Sequence, residues 1–214
     1  MGALDIQEDL VSALNSGGSD RIIGVTVDVT SRDSIANALS EVSARAGAAT
    51  VCVNAAAVYP VTTFDSTTEE LYRRIFDVNV LGTILVAQAF VGALPRDARG
   101  SLVNLASATA YVPTPVQLVY GASKAAVVHL TRTMAAALSP RVRVNALAPG
   151  WTQTEGTYSH NVADQMTEEV KTLPIPRPGT PAEMASIVWW LAVSPATAYI
   201  TGETINANGG AVMV

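Results

Sequence analysis

Two hydrophobic periods take turns along this chain. Short runs of apolar and β-branched residues mark strands, and longer stretches with apolar residues three and four apart mark helices. Arg21 to Val27 reads as a strand closed by Asp28-Val29-Thr30, and Ser31 to Ala46 as a helix capped by Thr30 or Ser31. Ala49 to Val53 is a strand ending at Asn54, and Thr68 to Leu94 a long helical pattern stopped by Pro95. Ser101 to Ala106 is the next strand, and Leu118 to Leu138 a helix that stops near Pro140. Val142 to Leu147 is a strand running into Pro149-Gly150. Pro181 to Val193 is a helix with proline in its first turn, and Thr204 to Asn206 a last strand before Gly209-Gly210.

Apolar strands separated by helices predict an α/β fold: a mostly parallel sheet, helices on both faces, right-handed crossovers. Ligands of such sheets bind outside the carboxyl ends of the strands. Asp28, Asn54, Ser107 and the Pro149-Gly150 turn all fall on that edge. Residues 150–181 break the rhythm and hold Trp151, Tyr158, His160 and several prolines. A connection of that length predicts a lid over a substrate. The whole chain, 1–214, is expected to form one domain.

At 214 residues and 49% hydrophobic composition the chain can bury a substantial core. A net charge of -5 with no basic patch argues against nucleic acid as partner. Cys52 is the only cysteine, which rules out an intrachain disulfide and suits a reducing compartment. Met1 to Asp9 carries acids and no apolar run, so no secretory leader is expected. No stretch reads as a membrane span. The expected location is cytoplasmic, with no membrane partner.

Tyr120 and Lys124 stand four apart, on one face of the predicted helix, and Ser107 lies upstream at a strand end. The chain has only two lysines, Lys124 and Lys171, which makes a chance pairing less frequent. A free phenol has a pKa of about 10, and a nearby cation lowers it. Tyr120 could then protonate a carbonyl oxygen or deprotonate an alcohol, with Ser107 holding the same oxygen in line. No side chain donates hydride, so that chemistry requires a cofactor. Asn79 sits in an apolar helix, either as a satisfied buried amide or as a helix distortion with a purpose. Cys52 and the Trp189-Trp190 pair read as packing residues, and His129 as a packing or interface residue. No His, Cys and Asp have metal-ligand spacing, so no metal is expected.

In these residues the chain resembles the short-chain dehydrogenase/reductase family of the compact soluble type. The matching positions are Asp28-Val29, Asn54-Ala55-Ala56-Ala57, Asn79, Ser107, Tyr120, Lys124, Asn145, and Pro149-Gly150 with Thr152 and Thr154. The resemblance implies a Rossmann-like, doubly wound fold and a catalytic tetrad of Asn79, Ser107, Tyr120 and Lys124. Tyr120 would be the acid/base and Ser107 would orient the substrate. Lys124 would grip the nicotinamide ribose and lower the tyrosine pKa, and Asn79 would hold a relay water. Asp5, Asp28, Val29, Asn54, Ala55, Gly150, Thr152 and Thr154 would line the cofactor together with Tyr120 and Lys124. Thr109, Trp151 and Tyr158 would join Ser107 around the substrate.

Two departures stand out. The family's Asn-Asn-Ala-Gly run is replaced by Asn54-Ala55-Ala56-Ala57, which restricts the backbone there. The family's first strand, glycine-rich phosphate turn and first helix have no counterpart, so the reading is of an N-terminally truncated member. Ala3-Leu4-Asp5 would then be the end of the family's second strand. Asp5, accepting ribose hydroxyls and repelling a 2′-phosphate, favours NAD over NADP. The expected activity is hydride transfer between NAD(H) and a secondary alcohol or ketone. The alternatives are an NADPH-dependent 3-oxoacyl thioester reductase and a catalytically impaired or non-catalytic member. A homotetramer is the inherited assembly, a dimer the next.

Overall fold

Every strand pair in the computed structural model runs parallel, and the residues it describes are 1–17, 21–154 and 168–213. The chain runs β1 (Gly2–Asp5), α1 (Glu8–Ser16), β2 (Ile23–Thr26), α2 (Arg32–Ala46) and β3 (Val51–Asn54). It continues through α3 (Glu69–Phe76), a π-helical turn (Asp77–Gly82), α4 (Thr83–Ala93) and β4 (Gly100–Leu105). Then follow α5 (Leu118–Leu138), β5 (Val142–Pro149), α6 (Pro181–Val193) and β6 (Thr204–Ala207). The alternation is the α/β order that the hydrophobic periods predict, and α5 and α6 span the residues expected of them. Helix α1 is an addition to the sequence reading.

The sheet differs from that reading in one respect. The strands form two sheets, β1-β2 and β3-β4-β5-β6, rather than one. Helix α4 ties them together. Its Leu85 packs into the core of Ile23, Val25 and Ile35, while its Ala87 and Phe90 pack into that of Leu102 and Val144. A third cluster sets Val127 and Val128 of α5 against Ala146 and Ala148 of β5, and a fourth sets Leu191 and Ala192 of α6 against Val103.

Local chemistry fixes where the helices begin. The Ser31 hydroxyl accepts from the Ser34 amide at 3.2 Å, and the Thr68 hydroxyl from the Leu71 amide at 3.2 Å. Thr180 and Glu183 form a reciprocal capping box, with bonds of 3.3 and 2.8 Å. Helix α5 has no such cap of its own. Thr62, fully buried on the loop after β3, does this work instead: its hydroxyl accepts from the Val119 amide at 3.2 Å and its carbonyl from the Leu118 amide at 3.0 Å.

One expectation is corrected. The continuous helical stretch Glu69–Ala93 is long and apolar enough to cross a membrane by length and composition, with a mean hydropathy of 1.7. Here it serves the α/β layer, turning Ile75, Asn79, Leu85 and Phe90 into the interior.

Candidate active site

The parallel register brings the carboxyl ends of the strands into line. β1 ends at Asp5, β3 at Asn54 and β5 at Pro149. Asp28 lies two residues past β2 and Ser107 two past β4. The polar strand endings read from the sequence therefore do lie at strand carboxyl ends.

Tyr120 and Lys124 occupy the first two turns of α5, one above the other, with the ammonium nitrogen 5.7 Å from the phenol ring centre. Ser107 caps the short turn Ala108–Ala110 and lies near enough to the Tyr120 phenol to influence its ionisation. Its hydroxyl also accepts from the Thr109 hydroxyl at 3.0 Å. The Tyr59 ring meets the Tyr120 ring edge-on, 6.0 Å between centres. Ser107, Tyr120 and Lys124 are thus together, with Thr109 and Tyr59 at their side.

The electrostatics depart from the expectation that Lys124 lowers the phenol. Burial pushes Tyr120 up to about 12; the neighbouring Ser107 hydroxyl pulls the other way, and Tyr59 adds to the rise. Burial likewise drives Lys124 down from 10.5 to about 8. Both shifts favour the uncharged form, because each group is taken out of water beside few compensating charges.

Lys124 is 3% exposed, and its ammonium donates to the Leu105 carbonyl at 2.6 Å. An ammonium has three N–H donors, so that bond leaves capacity for a further acceptor at the sheet edge.

Asn79 is fully buried inside the π-helical turn. Its carboxamide oxygen accepts from the Val58 amide at 2.8 Å, and its nitrogen donates to the Val58 carbonyl at 2.9 Å and to Ser123 at 3.0 Å. Both sequence-level readings of Asn79 meet here: the amide is satisfied, and the helix around it is distorted. The side chain clamps the loop after β3 against α5.

Among the cofactor candidates, Asn54 donates to the Asn104 side chain at 3.1 Å and to the Thr83 carbonyl at 3.2 Å. Asn104 passes the chain to Thr131 at 2.9 Å. Asp28 turns its carboxylate onto Thr30, accepting from the amide at 2.8 Å and the hydroxyl at 2.7 Å. Val29 lies against Gly82, where an added Cβ would stand 2.9 Å from the valine. Asp5 accepts from the Gln7 amide at 3.0 Å, and Ala55 is exposed. At Gly150 an added Cβ would stand 2.8 Å from the Asn208 backbone, which explains glycine there. The Thr152 hydroxyl donates to the Gly150 carbonyl at 3.1 Å, and Thr154 follows outside any helix or strand.

Trp151 is set apart from the tetrad. Its indole donates to Glu169 at 3.0 Å, and it lines a cavity of about 410 Å³ with Ile175, Met184, Ile187, Asn206 and Val212. None of Asn79, Ser107, Tyr120 or Lys124 lines that cavity. Tyr158 and His160 lie outside the described residues, as does the 155–167 part of the expected lid. Among the described residues no His, Cys, Asp and Glu gather as metal ligands.

Sequence reasoning passed over Thr62, Asn104, Ser123 and Thr131, all fully buried polar residues. Asn104 carried a readable signal, an amide inside the apolar strand Leu102–Leu105. The others looked like ordinary helix and loop positions.

A family profile described as enoyl-(acyl carrier protein) reductase matches residues 2–212. An uncharacterized oxidoreductase of Methylorubrum extorquens is 36% identical over 94% of this chain and 81% of its own length. The 3-oxoacyl-[acyl-carrier-protein] reductase of Vibrio cholerae is 32% identical over 89% of this chain and 78% of its own. A Brucella melitensis structure titled a short-chain dehydrogenase/reductase, glucose/ribitol dehydrogenase, superposes at a TM-score of 0.92 with 32% identity, covering 100% of this chain and 86% of that one. An NADPH-bound short-chain oxidoreductase of Pseudomonas aeruginosa with an atypical catalytic center superposes at 0.88 with 28% identity, over 98% of this chain and 85% of that one. With Tyr120 and the buried Lys124 beside Ser107 at the strand tips, and this likeness along its length, the chain belongs to the short-chain dehydrogenase/reductase family of oxidoreductases.

Proposed function

We propose that the chain catalyses reversible hydride transfer between NAD(H) and a secondary alcohol or ketone, with Tyr120 as the general acid/base. The observation that carries this is the placement of Ser107 beside the phenol of Tyr120, with Lys124 one helical turn on. A substrate oxygen placed between Ser107 and Tyr120 meets two hydroxyl donors as negative charge develops on it. In reduction the neutral phenol gives its proton to that oxygen, and burial keeps the phenol neutral across the physiological range. In oxidation the same oxygen surrenders its proton to Tyr120.

The donor set fits a nicotinamide dinucleotide. The spare donors of the Lys124 ammonium suit a ribose diol, and Asp5 suits the hydroxyls of a second ribose. Gly150, packed against the Asn208 backbone, would set the end of β5 beside the nicotinamide ring. Thr152 and Thr154 would hold its amide, and Val29 and Asp28 would flank the adenine. When bound, the cofactor supplies or accepts the hydride. Thr109 and the lid residue Tyr158 are proposed to meet the substrate, with Trp151 supporting the lid from behind.

A second reading is NADPH-dependent reduction of a 3-oxoacyl thioester, supported by the names of the Vibrio relative and the matching family profile and by the NADPH in the Pseudomonas structure. The chain is further proposed to assemble as a homotetramer, or a homodimer, through α6 and β6. Trp189 on α6 and Tyr199 in the connection to β6 are 69% and 103% exposed, surface that a subunit contact would cover.

The deciding experiment pairs a calorimetric titration of NADH and NADPH with turnover assays on secondary alcohols, ketones and acetoacetyl-CoA. Turnover of simple alcohols with NAD supports the first reading, and turnover of the thioester with NADPH alone replaces it by the second. No binding of either cofactor at millimolar concentration refutes both and leaves a non-catalytic member.

A further inference from the structure

The loop after β3 brings a second phenol to the active site, and its backbone is held on both sides. Val58, just before Tyr59, has its amide and its carbonyl both bonded by the Asn79 side chain, at 2.8 and 2.9 Å. Thr62, just after, donates its amide to the Val116 carbonyl at 3.0 Å and accepts the Leu118 amide on its own carbonyl at 3.0 Å. Its hydroxyl accepts the Val119 amide at 3.2 Å. Pro60 follows Tyr59 directly and biases the tyrosine backbone towards extended conformations. The segment carrying Tyr59 is therefore tied to the π-helical turn and to the start of α5, the helix that carries Tyr120 and Lys124.

The Tyr59 ring stands edge-on to the Tyr120 ring, 6.0 Å between centres and 64° between planes. The two phenols also influence one another, since Tyr59 adds to the upward pull on Tyr120. Around Tyr120, Lys124 comes from the next turn of α5, and Ser107 with Thr109 from the end of β4. Tyr59 comes from a third element, the loop after β3. It is half-buried, so part of its ring is left for a ligand, and no step of the hydride transfer proposed above uses it.

We propose that Tyr59 sets the substrate class: its ring is the wall against which the group on the reacting carbon packs, and it selects an aryl group over a saturated ring of the same size. This rests on the placing of a substrate oxygen between Ser107 and Tyr120. With the oxygen there, the carbon that bears it lies beside the Tyr120 hydroxyl, and a substituent on that carbon meets the ring flanking the phenol. Aromatic rings with centres about 4.5–7 Å apart gain from their quadrupoles beyond the area they bury, edge-to-face arrangements included. Tyr59 and Tyr120 already form one such pair, and a substrate aryl group extends it to a third ring. A cyclohexyl group buries similar area without that gain. Tyrosine also makes a stiff wall, with only two side-chain torsions to fix.

The test compares acetophenone with cyclohexyl methyl ketone as substrates of the parent, Tyr59→Phe and Tyr59→Leu. The quantity read is the ratio of their kcat/KM values, whose change between variants cancels the ketones' different intrinsic reactivities. Tyr59→Phe keeps the ring and is expected to keep the parent's ratio. Tyr59→Leu is expected to lower the ratio by about 2- to 10-fold, one aromatic pair expressed as a rate ratio. An unchanged ratio in Tyr59→Leu, or an equal loss in Tyr59→Phe, overturns the proposal. A second measurement requires neither turnover nor a folded leucine variant. Nuclear Overhauser contacts are sought between acetophenone and ring-labelled tyrosine in the parent, with and without NAD⁺, which cannot react with a ketone. Contacts from the acetophenone ring to a tyrosine signal that is missing in Tyr59→Phe are expected, and their absence at millimolar acetophenone overturns the proposal. Turnover of no ketone sinks the hydride-transfer reading instead, and these contacts then decide the role of Tyr59 by themselves.

Discussion

At the scale of single residues, burial dominates the chemistry. Tyr120 is raised to about 12 and Lys124 lowered to about 8, both because the surroundings disfavour charge. In the unfolded chain the Lys124 amine holds its proton up to about 10.5, and in the fold only up to about 8. Between those values the unfolded chain binds more protons, so stability rises with pH across that window. Below it the buried ammonium opposes folding by about 3 kcal/mol. Lys124→Met is therefore expected to unfold at higher temperature than the parent at pH 7, with the advantage shrinking towards pH 10, while turnover is lost. Thermal melts across that range check it. Tyr120 has the opposite sense: its folded value lies above the ordinary 10, so the stability it confers is lost as pH rises from about 10 to about 12.

The same phenol gives two predictions about rate. Tyr120→Phe removes the proton carrier and keeps the ring, so kcat should fall by roughly 10²–10⁴-fold with an unchanged circular dichroism spectrum. A variant with most of its activity would remove Tyr120 from the acid/base role. Ketone reduction needs the neutral phenol and should hold steady through neutral pH. Alcohol oxidation needs a proton acceptor and should climb with pH. Initial rates in both directions between pH 6 and 10 distinguish the two slopes.

At the scale of elements, the site depends on a clamp that no single motif announces. Asn79 ties the loop after β3 to α5 through Val58 and Ser123, from a π-helical turn between α3 and α4. Such turns recur at functional sites because they re-aim side chains without breaking the helix. Thr62 then caps α5, on which Tyr120 and Lys124 ride. Asn79→Leu should leave the Val58 amide and carbonyl unpaired, costing about 1–3 kcal/mol in urea titrations and displacing Tyr59 and Tyr120. Gly150→Ala drives a methyl to 2.8 Å from backbone atoms of Asn208, which cannot rotate away as a side chain could. Its cofactor affinity should fall more than its stability, measured by calorimetry beside a melt.

The elements themselves were largely legible. The strand and helix periods located α5 and α6 to the residue, and of the two caps the sequence offered, Thr30 and Ser31, the structure uses Ser31. The long pattern from Thr68 to Leu94 is a helix throughout, yet its π-helical turn was signalled only by Asn79 sitting among apolar residues. Thr62 carried no signal at all, since a threonine in a loop looks the same whether or not a distant helix lacks a cap.

At the scale of the whole molecule, the proposed subunit contact through α6 and β6 is open to a direct test. Trp189→Glu places a charge on that surface without touching the tetrad. Sedimentation should show smaller particles than the parent, and an unchanged sedimentation coefficient would move the subunit contact elsewhere.

The sequence by itself determined the alternation of elements, the face shared by Tyr120 and Lys124, and the placing of Asp28, Asn54, Ser107 and Gly150 at strand ends. Each of these follows from local periods of two and three to four residues and from turn chemistry. The tertiary structure decided what periodicity cannot carry. It set which buried amides pair across tens of residues, how far water is excluded from Tyr120 and Lys124, and that the strands pair as two sheets. Those outcomes depend on which surfaces meet, and a pattern along one chain records only which surfaces need to be hidden.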